Sequence, residues 1–307
     1  MSAPRGVCFI GIGNMGWPMA TRIVQSGYDV AVSDAVAGRA DQFAQANGGT
    51  AASDLVAAVK ARDVVITMLP TSGHVEAVVA GIAGGLRQGH ILIDMSSGAP
   101  AATRAIAERL SSKGVIVLDA PVSGGVSRAI TGDLAIMTGG DAEALDRVDP
   151  LLKVMGTTIH RIGAVGAGQA MKALNNLVSA GGFLMAVEAL VIGQQFGLDP
   201  HVMTDVLNAS TGMNNSTQKK LRQFVLSRKF DSGFGLDLMV KDLSIALEVG
   251  RDHAAPTPLS ALCREMWASA AAMLGKGQDH TAIAKLSEAM AGVTLGEATK
   301  KVGPTKA

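Results

Sequence analysis

Residues 11–16 read GIGNMG and stand directly behind the apolar run VCFI. A G-x-G-x-x-G between a strand and a helix constrains backbone shape and ligand together. Gly11 allows the tight turn, Gly13 lets the backbone approach a pyrophosphate, and Gly16 lets the helix pack close to the strand. The helix N-terminus then offers free N–H groups and the positive end of its dipole to phosphate. Gly11, Ile12, Gly13, Asn14, Met15 and Gly16 therefore form a candidate cofactor cradle. A glycine-rich turn without a ligand is the plain alternative.

The flanking pattern fits this context. VCFIGIG, YDVAVSD, DVVITMLP, HILIDMSS, VIVLDAPV, LAIMTGG and TIHRIG read as strands. Several are apolar at nearly every position, as strands buried on both faces are. Helical segments lie between the earlier ones, at about 15–26, 38–46, 53–59, 74–80 and 100–113. This repetition implies an α/β fold: a mostly parallel, doubly wound sheet of Rossmann type with helices on both faces. After Gly163 no strand alternation is seen, and helices are expected at about 167–196, 200–209, 215–227, 236–253, 258–275 and 280–294. The division expected is a dinucleotide-binding domain at 1–163, a long interdomain helix opening an all-α domain at 164–296, and a mobile tail at 297–307.

Composition narrows the function class. A chain with 48% hydrophobic and 17% charged residues can bury a large core. A net charge of +1 and 3% aromatic residues argue against a nucleic-acid partner, which needs neutralising cations and stacking platforms. Residues 173–193 are long and apolar enough to span a bilayer but contain Asn175, Asn176 and Glu188 without flanking anchors, so a helix buried in protein is expected and no membrane partner. Two cysteines, Cys8 and Cys263, without metal or disulfide spacing read as reduced thiols of a cytoplasmic protein. The six histidines show no ligand spacing, so no metal site is expected.

Asp34 ends the second strand, where an acid accepts hydrogen bonds from the adenosine ribose and repels a 2′-phosphate. NAD is the expected cofactor. Arg39 leaves NADP open, since a nearby arginine can hold that phosphate; the alternative is a solvated charge. Later strand ends, MLPTS, DMSS and APVSGG, face the edge where ligands bind such sheets. Ser123, Gly124 and Gly125 form either a backbone nest for a carboxylate or a plain loop.

Gly168, Lys172 and Asn176 share one helix face at i, i+4, i+8. Gly168 lets a ligand or backbone approach closely. A hydride leaving a carbinol carbon requires removal of the hydroxyl proton, and the reverse reaction requires its delivery. A lysine does either once burial and a nearby positive charge lower its pKa from ~10.4 toward ~7–8. The alternative is a lysine whose stem lies on apolar surface and whose head reaches water.

With these residues in hand, the chain resembles the β-hydroxyacid dehydrogenases, the family of 3-hydroxyisobutyrate dehydrogenase and tartronate semialdehyde reductase. FIGIGNMGWPMA, ITMLPTSGHVEAV, LIDMSS, DAPVSGGVSRAITGDLAIMTGG, GAGQAMKALNN and FGLDLMVKDLSIA carry the likeness, in order, over roughly residues 6–292. The resemblance implies a hydride transfer between a nicotinamide and a small 3-hydroxy acid or its semialdehyde. It implies Lys172 as general acid/base and Asn176 as the group orienting the substrate. It places Ser123, Gly124 and Gly125 on the substrate carboxylate and Met68, Leu69, Pro70 and Ser97 along the nicotinamide. Lys241 and Asp242 would close the site from the helical domain, and a homodimer or homotetramer would form through that domain. Where this chain has Ser97 the family often has threonine. A reductase of tartronate semialdehyde, succinic semialdehyde or glyoxylate is an alternative on the same fold. A non-catalytic dehydrogenase-fold scaffold is another, against which Lys172 with Asn176 argues.

Overall fold

The computed structural model describes residues 5–297; of the tail expected at 297–307, residues 298–307 lie outside them. The chain divides into two compact units, one ending at Ala173 and the next beginning at Leu174.

The first unit opens with β1 (Gly6–Ile10), α1 (Gly16–Gln25), β2 (Asp29–Ser33), α2 (Arg39–Asn47), β3 (Thr50–Ala51) and α3 (Leu55–Lys60). It continues with β4 (Val64–Thr67), α4 (Ser72–Gly81), β5 (Ile91–Asp94), α5 (Pro100–Ser111), β6 (Ile116–Asp119) and β7 (Val122–Ser123). Then come α6 (Gly125–Thr131), β8 (Ala135–Gly139), α7 (Ala142–Met155), β9 (Thr158–Gly163) and the start of α8 (Ala167–Phe196). Strands β3-β2-β1-β4-β5-β6 lie side by side and parallel, the order of a doubly wound dinucleotide fold.

The apolar strands feed two cores alternately. Val7 and Phe9 of β1 join Met19 and Ile23 of α1 and Leu151 of α7. Cys8 and Ile10 join Val75 and Val79 of α4 and Ile106 of α5 on the other face. Ile91 and Ile93 of β5 enter the first core and Leu92 the second. Burying each such side chain stabilises the fold by roughly 1.5–3 kcal/mol. Burial also pushes the Cys8 thiol up to about 12, which leaves it unreactive at neutral pH.

The sheet departs from parallel at one edge. β8 runs antiparallel to β6 and β7, and β9 runs parallel to β8. The connection from Gly124 to Leu134 contains only the short α6, less than the crossover of about a dozen residues that a parallel return requires. The two-residue strands β3 and β7 are too short for periodicity to reveal. α7 carries Pro150 in its interior, a residue that masks a helical pattern, yet Asp141 caps it by accepting from Ala144 N at 2.8 Å.

The second unit contains only helices beyond a single bridge between Gly235 and Asp279, among the described residues. After α8 come α9 (Pro200–Asn208), α10 (Asn215–Lys219), a π-turn (Leu221–Leu226), α11 (Leu236–Asp252), α12 (Pro258–Leu274), a 3₁₀ turn (His280–Ile283) and α13 (Ala284–Ala291). The single helix expected at 215–227 is broken at Lys220, whose φ of −130° leaves the helical range. Phe183, Leu190, Leu221, Leu243 and Trp267 centre the core of this unit. α8 is long and apolar enough to cross a bilayer by length and composition, and half of its most apolar window is buried.

Candidate active site

The turn between β1 and α1 is shaped by three glycines with three different constraints. Gly11 holds φ at +95°, and a Cβ there would lie 2.4 Å from Met68 O. A Cβ on Gly16 would lie 1.9 Å from Gly11 O, so α1 can pack on this turn only without one. A Cβ on Gly13 would meet nothing within 4 Å and would project into open space. No side chain caps the start of α1 and no acid lies in its first turn, so its N-terminal N–H groups and dipole suit an anion. Beside it lies a cleft of about 370 Å³ lined by Ile12, Gly13, Asn14, Trp17, Arg39 and Val126 among others. The open backbone at Gly13, the uncapped helix and the adjoining cleft fit a dinucleotide.

Asp34, just past β2, is used on both oxygens. Oδ2 accepts from Ile12 N at 2.9 Å and Oδ1 from Val36 N at 2.9 Å. Arg39 Nη1 also donates to Oδ1, at 3.2 Å. Asp34 therefore holds the glycine loop to the end of β2, and Arg39 pairs with it at the cleft. Arg128, at the end of α6, pairs with Asp133 at 3.1 Å.

At the neighbouring strand ends, Met68 N donates to Ile10 O and Leu69 N to Ser96 Oγ, each at 2.9 Å. Met68 and Leu69 thus back directly onto Gly11. Pro70 follows them and is exposed, and Ser97 is half-buried past the end of β5. Beyond β6, Gly124 and Gly125 both adopt positive φ, +136° and +72°, directly after Ser123.

The start of α8 is anchored by two acids that sequence reasoning missed. Asp119, fully buried at the end of β6, accepts from Gly166 N at 2.6 Å and from Gln169 N at 2.8 Å. Burial pushes its carboxyl up, and these N–H groups oppose that shift. Asp94, at the end of β5, accepts from Thr67 Oγ1 at 2.9 Å and Ser96 N at 3.1 Å. Burial dominates there, and its carboxyl is pushed up to about 6. A Cβ on Gly168 would lie 2.3 Å from Met137 O, so this glycine serves the approach of α8 to the backbone of β8. Lys172 follows on the next turn with 9% of its surface exposed.

In the second unit Asn176 and Asp242 are buried together, with Asn176 Nδ2 donating to Asp242 Oδ2. Lys241 Nζ lies 3.1 Å from Asp242 Oδ1. Asp279, also missed, accepts from Ser232 Oγ, Gly233 N and Phe234 N and so holds the segment leading into α11. Burial raises the Asp279 carboxyl, but hydrogen bonds with His280 and Thr281 outweigh it and hold the group below the usual range. A sequence signal existed for Asp94 and Asp119: each is the single acid ending an otherwise apolar strand.

A 3-2-1-4-5-6 sheet with an uncapped glycine turn, followed by a helical unit and a buried lysine on the joining helix, defines a nicotinamide-dependent dehydrogenase. Residues 6–163 match the NAD binding domain of 6-phosphogluconate dehydrogenase, and residues 166–287 match the family described as NAD-binding of NADP-dependent 3-hydroxyisobutyrate dehydrogenase. The chain is 39% identical to 3-hydroxyisobutyrate dehydrogenase of Pseudomonas aeruginosa over 91% of its length and 97% of that protein's. It is 36% identical to 2-(hydroxymethyl)glutarate dehydrogenase of Eubacterium barkeri over 94% and 96%. The solved 3-hydroxyisobutyrate dehydrogenase of Mycobacterium tuberculosis with L-serine superimposes with a TM-score of 0.84 at 34% identity, covering 93% of this chain and 99% of that one. The chain belongs to the β-hydroxyacid dehydrogenase family, and it is a 3-hydroxyacid dehydrogenase that uses NAD(P).

Proposed function

We propose that the chain interconverts a small 3-hydroxy acid of the 3-hydroxyisobutyrate type and its semialdehyde, with Lys172 as general acid/base. The observation that carries this reading is Lys172 itself, nearly buried on a helix whose preceding turn is tied to the ends of β5 and β6. Bound NAD(P) supplies the hydride acceptor or donor. Lys172 takes the hydroxyl proton during oxidation and returns it during reduction. Asn176, one turn along, orients the substrate with an amide whose direction Asp242 sets. Ser123, Gly124 and Gly125 hold the carboxylate through backbone N–H groups.

Gly11, Ile12, Gly13, Asn14, Met15 and Gly16 hold the pyrophosphate, and Asp34 meets the adenosine ribose. Met68, Leu69, Pro70 and Ser97 line the nicotinamide, and Lys241 is the cofactor contact assigned to the helical domain. The domain division is placed at 163/164, in keeping with the family matches that end at 163 and begin at 166. We assign a homodimer or homotetramer, supported by the exposed apolar stripe Val178, Met185, Ile192 and Phe196 along α8. A cytoplasmic location is supported by two buried, unbridged cysteines.

The test is initial rate by nicotinamide absorbance. NAD and NADP are crossed with 3-hydroxyisobutyrate, L-serine and 2-(hydroxymethyl)glutarate, in wild type and Lys172→Ala. Turnover of 3-hydroxyisobutyrate that falls about 10²-fold or more in the variant, with NADH binding intact, is expected. Near-wild-type turnover by Lys172→Ala would remove the acid/base role.

A further inference from the structure

Gln169 is 1% exposed and lies three residues before Lys172 on α8. Its Nε2 donates to Ser96 O at 2.8 Å and to Asp94 Oδ2 at 3.3 Å, while its Oε1 accepts from Gly98 N at 2.9 Å. The carboxamide therefore grips the backbone on both sides of Ser97. The backbone N–H of the same residue donates to Asp119 Oδ2 at 2.8 Å. One residue thus ties the turn that carries Lys172 to the ends of two adjacent strands.

The sense of this amide is determined. Nε2 faces two acceptors and Oε1 faces a donor; a flipped amide would set Oε1 against a carbonyl and a carboxylate. A leucine would fill a similar volume without the bracket, so volume alone does not call for glutamine.

We propose that Gln169 is a positioning residue that sets the placement of Lys172 relative to Ser97, and thereby of the proton acceptor relative to the nicotinamide side of the site. This rests on the acid/base reading of Lys172. Hydride and proton must leave neighbouring atoms of one substrate, so the two sides of the site must hold a fixed separation. A misplacement of about 1 Å costs on the order of 10²-fold in rate, and a shell of hydrogen bonds behind the reacting groups prevents it.

Gln169→Leu and Gln169→Glu are compared with wild type and Lys172→Ala, using the panel member that wild type turns over fastest. Thermal unfolding and NADH affinity by fluorescence are measured beside kcat and KM. For Gln169→Leu, kcat falls roughly 30–100-fold while substrate KM and the NADH Kd stay within about 3-fold. In Gln169→Glu an ionised carboxylate faces Ser96 O and Asp94 Oδ2, whereas the protonated acid donates to Ser96 O. Its kcat relative to wild type therefore recovers about 10-fold between pH 8 and pH 6. A folded Gln169→Leu with kcat within 3-fold of wild type overturns the proposal, as does a 10-fold weaker NADH Kd. If Gln169→Leu does not fold, a pH-independent ratio for Gln169→Glu overturns it. Lys172→Ala inactive with Gln169→Leu active removes only the role of Gln169; Lys172→Ala active removes the acid/base reading itself.

Discussion

Asn176 Nδ2 lies 2.5 Å from Asp242 Oδ2, and both side chains are buried. Asn176 also accepts from Asn175 Nδ2 at 3.1 Å, so its amide is directed from both ends. Removing the carboxylate takes from a buried N–H its charged acceptor, a loss of about 1–3 kcal/mol. Asp242→Ala is expected to lower the unfolding free energy by about 2 kcal/mol and to raise substrate KM about 10-fold. Asn176→Ala should raise KM similarly, and the double variant should be little worse than either single one, because the pair acts as a unit. Urea unfolding and steady-state kinetics on the four proteins measure this; additive losses would show that the two residues act separately.

The glycines of the first unit separate fold from ligand. Gly13→Ala adds a methyl that meets nothing within 4 Å, whereas Gly168→Ala drives one to 2.3 Å from Met137 O. Gly13→Ala should keep the wild-type Tm and weaken NADH at least 10-fold, because its methyl stands where the backbone must approach a phosphate. Gly168→Ala should lose about 2 kcal/mol or more of stability through overpacking. Equal NADH affinity in wild type and Gly13→Ala would place the pyrophosphate elsewhere.

The difference between those glycines shows what the amino-acid sequence can and cannot disclose. The β1 and β5 strands are legible because each successive residue faces one of two cores, so the run must be apolar throughout. The glycine loop is legible because its constraint is local. Gly168 reads equally as a ligand approach or a backbone approach until β8 is seen beneath it. Asp94, Asp119 and Gln169 meet only through the tertiary fold, from three separate elements, and no spacing rule brings them together. β7 and α6 stay hidden because two or seven residues carry too few turns of any period.

Cofactor choice turns on Asp34 and Arg39. Asp34 is spent on Ile12 N and Val36 N, so Asp34→Ala should loosen the glycine loop and weaken NAD as well as relax the selection against NADP. Arg39→Ala is the cleaner variant, because it leaves the bonds of Asp34 to Ile12 N and Val36 N in place while removing a guanidinium that lines the cleft. An arginine there favours a 2′-phosphate. Its removal should lower kcat/KM for NADP about 10-fold and leave NAD within about 3-fold. Parallel losses for the two cofactors would reduce Arg39 to a structural partner of Asp34.

Asp94 makes a prediction about pH. Burial pushes its carboxyl up to about 6, well above the usual carboxylate range, with the Ser96 and Thr67 hydrogen bonds pulling the other way. The folded state therefore binds a proton more tightly than the unfolded chain. Its contribution to stability is full below about pH 4 and is lost as pH rises through 6, because folding then carries a buried charge. About two pKa units correspond to about 3 kcal/mol. Asp279, held below the usual carboxylate range, acts on stability only at more acid pH, but His90 and His280, whose imidazoles burial pushes down, change their protonation on unfolding within this window, so wild type alone does not isolate the effect. The difference between wild type and Asp94→Asn does: from pH 4 to pH 7, wild type should lose about 2 kcal/mol relative to the variant in urea unfolding. A difference that stays constant across that range would mean that Asp94 titrates alike in the folded and unfolded chain, and that Thr67, Ser96 and Gln169 hold its charge without cost.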